Sequence, residues 1–170
     1  GQVLTSTGAG SPPAFEDAGG GANTPTFLAF RSSDQTFSHN AYHKIQFQTE
    51  KFDVGGVYDN SSNFRFTPGV AGKFYIFANV GLKCGNHGYH QELIMKKNGT
   101  LIMQDIHRNN SDHWQSDVVK TSQVSVIDIA DDDDYYEIFA KQLNSGNATV
   151  TVDSNGSLPY THFGAFKIIE

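Results

Sequence analysis

Four consecutive carboxylates, Asp131, Asp132, Asp133 and Asp134, are the densest chemical signal in the chain. Oxygen donors packed this closely suit Ca²⁺ or another hard cation with oxygen ligands. A solvated acidic turn that blocks unwanted edge pairing accounts for the same run. Cys84, His87 and His90 form a second group with C-x₂-H-x₂-H spacing, and all three donor types suit Zn²⁺. That set lacks a fourth ligand, which symmetry or water would have to supply; ordinary loop residues around a thiol explain it equally well. The third group surrounds the only tryptophan, Trp114, in the polar run HRNNSDHWQSD of residues 107 to 117. With Tyr89, His107, Arg108, Asn109, Asn110, His113 and Gln115 it has a composition suited to carbohydrate. A ring face stacks on the apolar face of a sugar while amides and imidazoles take its hydroxyls. A tryptophan plugging the end of a sheet pair is the plainer alternative.

None of these groups makes a catalytic arrangement. The chain has no nucleophile elbow, no phosphate-cradling glycine loop and no HExxH helix, and we read it as not an enzyme. A net charge of -6 without a basic patch argues against nucleic acid and against anionic membrane surfaces. The single cysteine excludes an intrachain disulfide framework. No run approaches the roughly 18 apolar residues of a membrane span, and the N-terminus lacks a signal-peptide pattern, so a soluble chain is expected.

The elements that must position these groups are strands. Apolar residues mostly alternate, and helix-period runs are absent. The clearest strand runs from Lys73 to Leu82. Phe74, Ile76, Ala78, Val80 and Leu82 share one face at period two, while Tyr75 and Phe77 put bulk on the other. A strand apolar on both faces is covered twice, by more of the same chain or by another copy of it. Phe64-Arg65-Phe66 and the Thr67-Pro68-Gly69 corner precede it. Asn98-Gly99 between Leu93–Lys97 and Thr100–Met103 predicts a two-residue hairpin, because both central positions of a type I′ turn need positive φ. Further strands are expected over Phe27–Arg31, His43–Gln48, Val118–Ile129, Tyr135–Leu143, Ala148–Val152 and Phe163–Ile169, with a loop from Lys83 to Gln91. The sum is an all-β antiparallel sandwich of about ten strands, a jelly roll. Residues 1–25, rich in Gly, Ser, Thr, Pro and Ala, read as a linker or fibre-shaft end, and residues 26–170 as one globular head.

Two resemblances attach to these patterns. Tyr58, Phe64, Pro68, Gly72, Phe74, Tyr75 and Phe77 reproduce the central block of the globular C1q domain, the head module of the C1q and tumour necrosis factor superfamily. Lys97-Asn98-Gly99 and the closing Phe163-Gly164 strand are similar to that family as well. The resemblance implies a C1q/tumour necrosis factor-like jelly roll that forms a homotrimer, with Tyr75, Phe77, Tyr135, Phe139 and Phe163 lining the threefold contact. It also implies calcium held by acidic residues near the axis, where Asp134 takes the place of the family's Asp. The opening GQVLTSTGAGSPPAFE resembles a unit found near the C-termini of tail-fibre and other virion proteins of marine bacteriophages, carried here by Gln2, Val3, Leu4, Thr5, Ser6, Gly8, Gly10, Pro13 and Phe15. Together they imply a viral protein: a trimeric receptor-binding head on a tail fibre or virion appendage, attaching to a bacterial host surface through a glycan or other receptor. The alternatives are a secreted C1q-like signalling ligand or lectin, and a purely structural trimerisation cap.

Overall fold

A computed structural model describes residues 2–5, 14–17, 23–84, 88–108, 118–154 and 160–168. The strands run in chain order as β1 (Gln2–Thr5), β2 (Ala14–Asp17), β3 (Thr26–Phe30), β4 (Gln35–Phe37), β5 (His43–Lys44), β6 (Thr49–Val54), β7 (Tyr58–Asp59) and β8 (Arg65–Phe66). They continue with β9 (Gly72–Cys84), β10 (Gly88–Lys97), β11 (Thr100–Arg108), β12 (Lys120–Ala130), β13 (Tyr136–Asn144), β14 (Val150–Val152) and β15 (His162–Lys167). Among the described residues there is no helix.

Two antiparallel sheets form the sandwich. In the seven-stranded sheet β9 is central: β12 pairs along one edge, β15 and β14 share the other, and β3, β6 and β4 extend outward. The six-stranded sheet runs β11-β10-β13-β8-β7, with β5 also on β13. Separately, β1 and β2 pair with each other, placing Leu4 opposite Phe15.

The period-two face of β9 becomes the core: Phe74, Ile76, Ala78, Val80 and Leu82 are all buried. Leu93 and Met95 of β10 and Tyr136, Ile138 and Ala140 of β13 are buried in the same cluster. One end of this interior is aromatic. Phe27 stacks on Tyr58 at 4.7 Å and meets Phe163 edge-on at 5.0 Å. Burying each such ring contributes roughly 1.5–3 kcal/mol, with edge contacts adding about 0.5–1.5 kcal/mol. The Asn98-Gly99 turn forms as expected, with φ of 51° and 79°.

Several boundaries differ from the sequence reading. Residues 43–48 form a strand only over His43–Lys44, although Ile45 and Phe47 are fully buried, and β4 and β6 carry no clean alternation. The stretch read as a loop from Lys83 to Gln91 is largely strand, because β9 extends to Cys84 and β10 starts at Gly88. Its interior position is filled by a polar residue: Gln91 is fully buried and donates to Ser122 Oγ at 2.9 Å, while accepting from Gln142 at 3.2 Å. A satisfied amide there does the work of an apolar side chain, so hydrophobic periodicity cannot reveal the strand.

Candidate functional site

The outer face of the seven-stranded sheet is built by register. Ile127 lies opposite Tyr75 and Ile129 opposite Lys73, so both isoleucines share the outward face of β9. On its other edge Phe166 pairs with Tyr75, and Gly164 with Phe77. Leu28 pairs with Gly164 and with Phe52 of β6. The apolar surface therefore crosses five strands. Ile127 and Ile129 remain 64% and 68% exposed, and Phe52 and Val54 44% and 48%. A hollow of about 240 Å³ between Leu28, Phe30, Lys51, Phe77 and His162 indents it. Phe77 packs directly onto Gly164, where a Cβ would stand 2.6 Å from Phe77 Cζ and 3.0 Å from the Phe27 carbonyl. Continuous exposed apolar area of this kind marks a contact surface.

At one end of the molecule the acidic run is a turn. Asp131, Asp132 and Asp133 are exposed; Asp134 is buried. Asp134 accepts from Lys97 Nζ at 2.9 Å, from Asn98 Nδ2 at 2.6 Å and from the Asp131 amide at 2.8 Å. Both of its oxygens are thus occupied within the protomer, and Asp134 is a turn-closing group rather than a free metal ligand. Lys97 also pairs with Asp128 at 3.0 Å, which accepts from the Tyr136 hydroxyl at 2.6 Å. Among the described residues no group of three or more His, Cys, Asp or Glu side chains is arranged to hold a metal.

Burial works against ionisation of Asp134, but donation from Lys97, the Asp131 amide and Asn98 outweighs it and holds the carboxyl below its ordinary range. Asp128 is lowered likewise: burial opposes the charge, and Tyr136 and Lys97 favour it more. Burial lowers the Lys97 ammonium, and the two carboxylates more than reverse this, raising it. The carboxylates contribute stability that is present above their unfolded value of 3.8 and lost as pH falls through their lower folded values. Lys97 contributes below its unfolded 10.5, and that share is lost only above its raised folded value. We predict that the wild-type urea midpoint drops steeply below about pH 4, where the carboxylates protonate. Lys97→Met lowers the midpoint at pH 7 and flattens the acid limb. A variant with an unchanged acid limb would remove this network from the account.

The remaining candidates divide. Cys84 ends β9, but its side chain and His87 lie outside the described residues; His90 hydrogen-bonds Glu92 on the outer side of β10. Trp114, Asn109, Asn110, His113 and Gln115 also lie outside them. Register brings Tyr89, His107 and Arg108 to the same end of β10 and β11, where His107 meets Asp105 at 3.0 Å.

No family model matches the sequence, and neither does any curated protein. Solved structures do match the fold. A tumour necrosis factor, Eiger from S. frugiperda, aligns over 85% of this chain and 91% of its own at 9% identity and TM-score 0.56. Murine APRIL aligns over 84% and 98% at 11% identity and TM-score 0.58. The globular domain of zebrafish complement 1qA aligns over 86% and 99% at 14% identity and TM-score 0.57. The chain has the C1q/tumour necrosis factor jelly roll.

In this C1q-like frame the five residues expected to line one contact do not share a surface. Tyr75 and Phe77 lie on the apolar outer face, their rings stacked at 5.6 Å. Phe163 is fully buried in the core, because it pairs with inward-facing Ala78. Phe139 stands on β13 of the other sheet and Tyr135 immediately before that strand, and Lys96 and Arg65 lie over their rings. Phe163 has no exposed surface to contribute, and Tyr75 with Phe77 faces away from Tyr135 with Phe139, so the five residues form no single patch. The residues missing from the expectation are Ile127, Ile129, Phe166, Leu28 and Phe52. A signal existed: in Val124-Ser-Val126-Ile127-Asp-Ile129 the alternation of β12 changes phase, leaving apolar residues on both faces.

Proposed function

We propose that the chain is a homotrimeric C1q/tumour necrosis factor-like binding head, carried at the end of a bacteriophage tail fibre or comparable virion appendage, and that it attaches to a bacterial surface glycan. The observation that carries the trimer is the apolar outer face of the seven-stranded sheet, from Ile127 and Ile129 across Tyr75, Phe77 and Phe166 to Phe52. A second copy seated on that face covers it, and heterologous contacts close into a ring when the rotation permits. Support for the appendage comes from the N-terminal GQVLTS unit. Three copies on one axis give avidity to a site that holds a glycan weakly. They also gather the exposed Asp131, Asp132 and Asp133 carboxylates of each copy, the ligand type that Ca²⁺ takes.

Molar mass by light scattering, with and without a chelator, tests this reading on the sample used for a bacterial glycan and whole-cell binding screen. Three chain masses with glycan hits is the expected result. A fall in mass with chelator assigns the acidic turn to a shared cation. A stable monomer overturns the trimeric head, and a trimer that binds no glycan or cell reduces the protein to a structural cap.

A further inference from the structure

We infer that the outer face of the six-stranded sheet is a second binding surface, built for a polyuronate, a polysaccharide with one carboxylate on each sugar and neutral hydroxyls around each ring. The inference rests on reading the chain as a surface-binding head. In a chain of net charge -6, this face carries Lys44, Arg65, Lys96 and Lys141, and each lies over an aromatic ring. Arg65 sits 4.7 Å from the Tyr135 centroid and Lys96 4.5 Å from that of Phe139. Lys44 and Lys141 are partnered by Glu137 and Glu92. Arg65 and Lys96 have no carboxylate partner among the described residues. Asp59, opposite Arg65 on β7, turns both oxygens onto its own Ser61, Ser62 and Asn63. Two half-exposed cations are thus held in place by ring faces and left available to an anion. The planar guanidinium of Arg65 suits a carboxylate, which it can hold with two parallel bonds.

The rest of the face selects the class of anion. Tyr135 and Phe139 are four residues apart along the chain, about 13 Å on an extended strand. Glu137 lies between them, opposite Lys96 in register. Nucleic acid, with one phosphate charge per ~1.7 Å of duplex, needs cations more closely spaced than this pair supplies, and its bases find ring faces already covered by cations. A polyuronate places its charges further apart. Beyond Phe139 lies a polar cluster in which Glu92 accepts from the Tyr42 hydroxyl, from His90 and from Gln104 at 2.9 Å, leaving the Tyr42 oxygen as an acceptor for a sugar hydroxyl. Tyr42 remains 42% exposed beside them.

The test titrates the purified chain with alginate, dextran, duplex DNA and phosphatidylserine vesicles at low and moderate salt. Alginate is expected to bind, more weakly as salt rises, and dextran not to bind. The double variant Arg65→Gln, Lys96→Gln should lose at least tenfold in alginate affinity. Lys120→Gln with Lys167→Gln removes equal charge from the other sheet and should bind as wild type. Circular dichroism and light scattering on each variant confirm fold and mass. The inference is overturned if wild type fails to bind alginate, if the R65Q/K96Q pair binds unchanged, or if the control pair loses as much. Equal binding of dextran, DNA or vesicles overturns the polyuronate class. A monomer that still binds alginate through Arg65 and Lys96 sinks the trimeric head and keeps this surface; a trimer blind to alginate does the reverse.

Discussion

Ile127→Glu combined with Ile129→Glu is expected to yield a folded monomer, one third the mass of the proposed trimer. Both side chains are more exposed in the single chain than any other large hydrophobic residue described. Charging them costs the isolated protomer little, since surface substitutions typically fall within about 0.5 kcal/mol. In the proposed trimer each copy would bring two carboxylates into an apolar contact without partners, and an unpaired buried charge costs several kcal/mol. Three repeats of that penalty exceed what a standard interface retains after its association entropy. Sedimentation should report a monomer while far-UV circular dichroism is unchanged. Phe77→Asp attacks the same face from β9 and should also abolish the trimer. Folded trimers from both variants would move the contact elsewhere.

Phe163→Ala is expected to act the other way, weakening the protomer by about 3–5 kcal/mol and leaving assembly of the folded fraction intact. Phe163 is fully buried, packs edge-on to Phe27 at 5.0 Å and to Tyr58 at 5.8 Å, and meets Phe47 at 5.6 Å. Truncation opens a cavity among three rings, two of which stand on strands of opposite sheets, Phe27 on β3 and Tyr58 on β7. Denaturant unfolding at fixed protomer concentration, set beside the mass at zero denaturant, separates the outcomes. A lower midpoint with unchanged mass is the expected pair. Loss of the assembly with no change in midpoint would return Phe163 to an interface.

Phe77 and Phe163 are residues that the resemblance placed together and the fold separates. The reason is the phase of β15. In Phe163-Gly164-Ala165-Phe166 each face receives one aromatic and one small residue, so the local pattern does not choose a direction. Register with β9 chooses it: Phe163 opposite buried Ala78 points in, and Phe166 opposite Tyr75 points out. Gly164 then lies under the Phe77 ring, a position with no room for a side chain.

What the sequence by itself determined was local. The β9 core face follows from period two over five apolar residues, and the Asn98-Gly99 turn from a dipeptide that tolerates positive φ twice. The central aromatic block carried the resemblance to the C1q-like jelly roll, because its strands and the corner between them are written in closely spaced residues. What only the tertiary structure decided was nonlocal pairing. Arg65 reaches Tyr135 across seventy positions, Asp134 closes on Lys97 and Asn98, and Gln91 finds its partners in Ser122 and Gln142. Each of these residues reads as loop or surface in isolation. The energy that fixes its role comes from a partner brought near by the sheet register, and no stretch of sequence as short as a strand contains both members of the pair.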